Sequence, residues 1–428
     1  MTSTDTTPSR RTLLKSLGLG SAGIAAAPLL ASCTGADTSS SSSTSTSVGS
    51  NYSDPVPKKA FRAVVDAFEK KGSDKVKINT VGHNDFQNNI NNYLQGHPNP
   101  VFTWFSGIRM KTYAKSGLTR PVDDVWDKIG DNFSSSIAKA STAEDGKKYL
   151  VPWVTYPWAV FYNKALFKQR GYEIPATWDE FVKLCKTMKK DGITPIAFGD
   201  KDLWPACGTF DYLNLRINGY DFHEKLMAHE ESWNQKKVAD VFDHWKEILP
   251  YHQHGSLGRL WQDAASTIGK KTSGMYVIGL DQIGAQITGD AAKDLDFFAF
   301  PTINEKYGQD AVEAPIDGFM LSKAGKGDDV AKKFLQYLGS GAAQQTYLGS
   351  NHADVATAKD ADTAKYTPLQ KKSAKFIADA KQLSQFLDRD SLPAFAADVM
   401  EPALQKFVGS GTFDMKSVEA QAKQKYGK

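Results

Sequence analysis

Apolar positions change period several times between residues 58 and 117. Phe61, Val64, Val65 and Phe68 recur at helical spacing over 58–71. Residues 76–81, Val-Lys-Ile-Asn-Thr-Val, alternate as a half-buried strand does. Helical spacing returns over 86–94, and 101–105, Val-Phe-Thr-Trp-Phe, is a continuous run of strand length. A short helix over 110–115 stops at Gly117. This β–α–β–α rhythm predicts an α/β layered fold with parallel strands. It continues with strands at 158–162, 193–198, 274–280, 295–300 and 318–322. Helices fall at 164–169, 237–249, 328–338 and over most of 392–408. One more opens at Thr177 and Glu180, which form a capping box in which hydroxyl and carboxylate each reach the other's backbone N–H. It runs to Lys190 and ends at Gly192.

The first fifty residues lack this rhythm. Ser9-Arg10-Arg11-Thr12-Leu13-Leu14-Lys15 resembles the twin-arginine export signal. The apolar stretch 17–30 is too short and too rich in Gly and Ala to span a bilayer, which takes ~20 apolar residues. It ends in Leu30-Ala31-Ser32-Cys33, which resembles the bacterial lipobox, where the Cys thiol is acylated and the chain is cut before it. An uncleaved anchor with an incidental Cys is the weaker alternative, because the motifs come in the order that export requires. Residues 1–32 are therefore expected to be a lipoprotein signal peptide and 33–50 a lipidated tether. Within the tether, 38–47 is an unbroken run of Ser and Thr that offers no apolar surface to bury. Gly18-Leu19-Gly20-Ser21-Ala22-Gly23 matches a dinucleotide-binding pattern, but no strand precedes it and it lies inside the signal.

Composition narrows the function. A chain of 428 residues suggests two or three domains, or two lobes of one large fold. The 52 basic and 48 acidic residues nearly cancel, which argues against nucleic acid or an acidic membrane as the main partner. Nine Trp, 16 Tyr and 23 Phe are enough to furnish a binding cleft as well as a core. Besides Cys33 there are Cys185 and Cys207, which an exported protein can pair. Cys185 shares an apolar helix face with Phe181, Leu184 and Met188, so a buried thiol fits equally well.

From residue 152 onward the text has a family likeness. Tyr162-Asn163-Lys164, Leu166-Phe167, Gly171, Pro175 and Thr177-Trp178-Asp179-Glu180-Phe181 resemble the signature of family 1 extracellular solute-binding proteins, relatives of maltose-binding protein. Tyr113 to Leu118, Gly269-Lys270 with Gly274-Met275-Tyr276, Phe298-Ala299-Phe300-Pro301 and Lys332 to Leu338 resemble further family segments, in the family's order. The family opens on a clear apolar strand, whereas 48–54 here, Val-Gly-Ser-Asn-Tyr-Ser-Asp, is barely one. The resemblance implies a two-lobed periplasmic-binding-protein type II fold that closes by hinge motion on ligand held between the lobes. Lobe 1 would comprise 51–152 plus 298–323, and lobe 2 would comprise 157–295 plus 327–428. It also implies a carbohydrate ligand, ABC permease subunits with a separate ATPase as partners, a monomer, no cofactor and no catalysis.

A sugar site needs flat aromatics for C–H faces and planar polar groups for hydroxyls. Trp104 and Ser106, with Arg109, follow one strand, and Trp158 flanks the first crossover beside Trp153 and Tyr156. Trp204, with Asp211, Asn214 and Arg216, follows the strand at 193–198. Asp281 and Gln282 follow the strand at 274–280, Asp317 and Phe319 border the third crossover, and Trp261 joins the group. Tyr52 and Asn84, early in the mature chain, complete it. The competing readings are thinner. A glycosidase needs two carboxylates at a fixed separation, for which Asp388 and Asp390 are the available pair. His252 and His254 lack further ligands for a metal and read as solvated loop residues. No Gly-x-Ser-x-Gly elbow and no phosphate-binding loop occurs. A peptide, polyamine or phosphodiester cargo stays open, although an anion would want basic groups.

Overall fold

The inner strands Val101–Phe105, Val151–Thr155, Trp158–Asn163, Ser273–Gly279 and Ile316–Ser322 are buried along their length, and their alternating side chains feed a core on either face. A computed structural model describes residues 44–323 and 328–427. The first sheet has the order Val355–Ala356, Val151–Thr155, Ile316–Ser322, Val101–Phe105, Ser45–Ser50, Lys75–Thr80, with Thr119–Arg120 also paired to Ile316–Ser322. On one face Val48, Val101, Phe319 and Leu321 pack with helix Pro55–Glu69, which contributes Ala60, Phe61, Val64 and Val65. On the other face Phe102, Trp104 and Met320 pack with Phe86 and Tyr113. The second sheet runs Thr194–Ile196, Ser273–Gly279, Trp158–Asn163, Leu295–Phe298. Helix Trp178–Lys190 covers it with Phe181, Cys185 and Met188, and the Thr177–Glu180 capping box forms as its spacing predicts. Cys185 and Cys207 are buried free thiols.

The structure departs from the sequence reading in two places. Ser45–Ser50, assigned to the tether, is a central strand of the first sheet, parallel to Lys75–Thr80 and Val101–Phe105. Its position demands small side chains. A Cβ on Gly49 would sit 2.3 Å from the Tyr93 hydroxyl, and Ser47 Oγ accepts a hydrogen bond from Asn99 Nδ2 at 2.7 Å. The end of the Ser/Thr run thus becomes a strand, in which the Ser47 hydroxyl is engaged. Cys33 and residues 1–43 lie outside the described residues.

The other departure is in the later crossovers, expected at 295–298 and near 323–327: the chain returns to the first lobe only after Ala311–Glu313, because Phe298 and Phe300 stay in the second-lobe core and Arg216 holds the Ala311 carbonyl there. Helices Asp328–Leu338 and Gly341–Leu348 stay in the first lobe, where Phe334, Leu335, Leu338 and Tyr347 join Val48 and Phe61 in its core. Chain passes to the second lobe only after Val355–Ala356, and Lys372 of helix Pro368–Asp379 then pairs with Asp296 there. The C-terminal helices fill the second-lobe core with Phe395, Met400, Leu404 and Phe407. Their leading turn, Leu387–Asp390, also touches the first lobe. Gly107, at φ 95°, lets its backbone come so close to the Arg389 carbonyl that a Cβ would be 2.5 Å away.

Candidate functional site

The first crossover, Tyr156-Pro157, joins a strand of each sheet and places Tyr156 and Trp158 at the seam between the lobes. Trp158 is held by its carbonyl, which accepts from the Tyr212 hydroxyl, and its ring lies against Phe386 with centroids 4.6 Å apart. Trp204, half-buried before helix Pro205–Asn218, meets Trp158 edge-on at 6.2 Å and Trp261 at 5.9 Å. Its indole N–H donates to Asn84 Oδ1 of the first lobe at 3.3 Å, so the lobes touch here. Beside these rings is a small cavity of about 20 Å³. The first lobe supplies His83 and Gln87, and the second supplies Trp158, Trp204 and Gln282. Tyr156 comes from the crossover, and Phe386, Asp388 and Arg389 come from the C-terminal turn.

Two guanidiniums build the polar wall. Arg389 Nη1 donates to Asp317 Oδ1 at 2.8 Å and its Nη2 to the Tyr156 hydroxyl at 3.1 Å. The same guanidinium lies 3.8 Å from the centroid of the Phe105 ring. Arg109 Nη1 donates to Asp388 Oδ2 at 2.7 Å and to Gln87 Oε1 at 3.1 Å. Gln87 in turn hydrogen-bonds His83 Nε2 at 2.7 Å. Burial holds the His83 imidazole down to about 4, with Arg389 and Arg109 adding to the effect, so it is neutral at pH 7.

Carboxylates gather beside this wall. Burial, then Asp317 and Asp54, push Asp281 up to about 8 against the pull of Arg389. Asp354 is raised by burial and by Asp281 and Asp317, and the Tyr52 hydroxyl by burial and by Asp317 and Asp354. Gln282 Oε1, Asp388 Oδ1 and Arg389 Nε have no hydrogen-bond partner among the described residues. Asp388 Oδ1 and Arg389 Nε are 3.8 Å apart, too far to satisfy each other. Unpaired buried polar groups are costly. Two acceptors and one donor between aromatic rings suit a compact ligand rich in hydroxyl groups.

The predicted residues divide. Trp158 and Trp204 line the cavity, and Asn84 braces Trp204 across it. Asp317 reaches the cavity through Arg389, and Asp281 and Tyr52 belong to the adjoining acidic seam. Others serve the core. Trp104 is buried among Phe86, Phe105 and Tyr113, and Phe319 lies between Phe61 and Trp153. Trp261 is buried behind Trp204. Asp211 accepts from the Leu387 N–H at 2.8 Å and fixes the C-terminal turn, while Ser106 donates to Gln385 Oε1 at 2.6 Å beneath it. His83, Gln87, Phe386, Asp388 and Arg389 were missed as ligand-site residues. The only signal there was the acid pair Asp388 and Asp390, and both acids are engaged: Asp388 by Arg109, Asp390 Oδ2 by the Gln385 N–H at 2.8 Å. His252 is not solvated but stacked on Phe198, centroids 4.3 Å apart. No cluster of three or more metal-ligating side chains occurs among the described residues.

Two packed lobes with a ring-lined cavity at their junction match a known family. Residues 52–345 fit the model of the bacterial extracellular solute-binding proteins. The chain belongs to that family. Its fold superposes on the bacterial solute receptor AcbH with a TM-score of 0.88 and 47% identity, covering 89% of this chain and 99% of that one. AcbH is characterised by an exclusive preference for β-D-galactopyranose. An uncharacterized ABC transporter extracellular-binding protein of Pyrococcus horikoshii is 27% identical over 355 residues, 80% of this chain and 79% of its own. The diacetylchitobiose-binding protein DasA of Streptomyces coelicolor is 27% identical over 371 residues, 79% of this chain and 84% of its own. The family is one of binding proteins. Among the described residues no helix is long and apolar enough to cross a membrane.

Proposed function

We propose that this protein is the extracytoplasmic receptor of an ABC importer and that its ligand is a single pyranose of the galactose type. The cavity carries the reading. Trp158, Trp204 and Phe386 present ring faces and edges, while Gln282, Asp388 and Arg389 present unmatched acceptors and a donor, around a space of about 20 Å³ that the lobes must part to enlarge for a pyranose. The 47% identity to a receptor for β-D-galactopyranose favours that sugar over the longer glycans bound by more distant relatives. The ligand is held and released without bond cleavage, since Asp388 and Asp390 are each tied to a neighbour. In this reading Cys33 carries the lipid anchor after twin-arginine export. The protein acts as a monomer, and the permease receives the closed form.

Thermal unfolding against a panel of sugars tests the ligand. A ligand that binds only folded protein stabilises it by about 2.7 kcal/mol at a hundredfold excess over Kd. Galactose should raise Tm, with glucose, maltose and raffinose far behind, and should be recovered unchanged. A shift with oligosaccharides but not galactose would replace the monosaccharide, and a cleaved sugar would replace binding by hydrolysis. The anchor is tested by Cys33→Ser, which should move the protein from the membrane fraction to the medium.

A further inference from the structure

The groups that suit a sugar surround a space of about 20 Å³, so a sugar ring reaches them only if part of the wall gives way. Six of the nine wall residues are buried: Tyr156, Trp158, Gln282, Phe386, Asp388 and Arg389. The other three are half-buried. Of these, His83 and Gln87 bond to each other, and Gln87 also to Arg109. Trp204 is held least. Its indole N–H donates to Asn84 of the opposite lobe at 3.3 Å, a bond that breaks when the lobes part. No neighbouring ring is stacked on it: His83, Trp158, Trp261 and Phe386 lie 5.9–6.4 Å away at interplanar angles of 52–81°. Trp204 also lines an open outer chamber of about 430 Å³, ample for an indole, with Asn88, Tyr113, Pro393, Ala397 and Glu401 among its other walls.

The backbone just before Trp204 is strained. Leu203 has φ 71°, in the left-handed region that a residue with a Cβ enters only at a cost. Such strain persists where the surroundings hold it, and it gathers at sites that switch. Here the holding bonds lie to either side. The Asp200 N–H donates to the Ser256 carbonyl at 2.9 Å, and the Asp200 carbonyl accepts from Gln405 Nε2 at 2.6 Å. Asp200 Oδ1 accepts from the Ala206 N–H at 2.9 Å, at the start of helix Pro205–Asn218. Between these anchors the N–H groups of Leu203 and Trp204 donate back into the loop, to the carbonyls of Asp200 at 3.1 Å and Asp202 at 2.9 Å. A change of Leu203 to an unstrained backbone conformation would re-aim the next side chain while both anchors hold.

We propose that Trp204 is a gate with two positions and that Leu203 sets the balance between them. In the position seen here the indole closes the inner cavity and Leu203 is strained. In the other, Leu203 is relaxed, the indole stands in the outer chamber, and the space it leaves admits one sugar ring, on which the indole face then packs. This rests on the galactose reading above. Leu203 is a positioning residue, since it acts on the ligand only through Trp204.

Titration calorimetry of the full-length protein with galactose tests the gate. Glycine enters the left-handed region freely, so Leu203→Gly favours the closed position and should weaken galactose binding roughly tenfold. Asn tolerates that region better than Leu does, so Leu203→Asn should weaken binding in the same sense but less. Leu203→Ala keeps the strain and should bind as the unaltered protein does. A role for the leucine side chain itself would instead make the Ala and Gly variants alike. Ala397 is exposed and lines the outer chamber but not the inner cavity. Ala397→Trp should fill the second position of the indole and weaken galactose at least about tenfold. Should that variant fold poorly, Ala394→Trp on the same wall should act alike. Equal Kd values for the Gly and Ala variants of Leu203 would overturn the proposal, and so would unchanged affinity in a folded Trp variant of the outer wall. Either result, with galactose still binding the unaltered protein, removes the gate and leaves the galactose reading standing. Failure of galactose to bind the unaltered protein would remove that reading, and the gate with it.

Discussion

Arg389 ties together three things that the sequence keeps far apart: Asp317, Tyr156 and the face of Phe105. Only a planar fork can donate to two partners in different directions while stacking on a ring. Arg389→Lys should therefore cost about 2 kcal/mol of stability in a urea titration at pH 7, and should weaken galactose binding at least tenfold. A variant with normal stability and affinity would show that the guanidinium is not what shapes this wall. Trp204 is a different case, since it is half-buried and its main neighbours are other rings. Trp204→Ala should weaken the ligand by about 2 kcal/mol, roughly thirtyfold in Kd, with little change in Tm. Trp158 and Trp204 were legible because aromatic residues at strand ends with polar neighbours are suited to sugars. Trp104 and Phe319 carry the same local signal yet face the core, because which side of a strand meets a cleft is set by the other elements of the sheet. Arg389 gave no signal, since its partners lie 72 and 233 residues away.

At the scale of elements, hydrophobicity misled where a position needed small residues more than apolar ones. Strand Ser45–Ser50 has Val48 as its one large apolar side chain, yet it sits between two parallel neighbours. The constraint is close approach at Gly49, where the Tyr93 hydroxyl is fixed by the Asn99 N–H at 2.8 Å and by Asn99 Oδ1 at 3.0 Å. Gly49→Ala should destabilise by about 1–3 kcal/mol, the range for overpacking a tight site. Adding Tyr93→Phe, which removes the blocking oxygen, should recover part of the loss, and equilibrium unfolding of the single and double variants measures both. Helix Asp328–Leu338 was placed correctly along the chain but in the wrong lobe. Its apolar face, Ala331, Phe334, Leu335 and Leu338, specifies that it covers a sheet and not which one. The answer lies in partners such as Phe61 and Phe68, whose rings meet Phe334 at 6.5 Å and 5.1 Å.

Across the whole molecule, the two lobes and their first crossover follow from motifs that keep their order along the chain. What composition hides is how the lobes meet. Asp281, at the start of helix Leu280–Gln286 in the second lobe, faces Asp54, Asp317 and Asp354, which belong to the first. Arg389 is the one cation that the shifts of Asp281 and Asp317 share. Burial first, and then the like charges of Asp317 and Asp54, let Asp281 keep a proton that an exposed, separate carboxyl would lose, which is why it is raised from 3.8 to about 8. A carboxyl raised in the folded state contributes its full stability below pH 3.8, where both states hold the proton. The contribution declines as the unfolded chain ionises first, and is gone once pH passes about 8. Between those limits the folded protein should lose stability with rising pH through this group. Asp281→Asn keeps the shape and removes the titration, so its urea-unfolding free energy should fall less steeply between pH 4.5 and 8.5 than that of the unaltered protein. Parallel curves would mean that the seam holds its proton elsewhere, with Asp354 the next group to replace. Because Asp281 and its neighbours come from opposite lobes, opening the cleft would separate them and release that proton. Galactose affinity, if it depends on closure, should then weaken over the same pH range and do so less in the Asn variant, a coupling that calorimetry in buffers of differing ionisation enthalpy reads as proton uptake on binding.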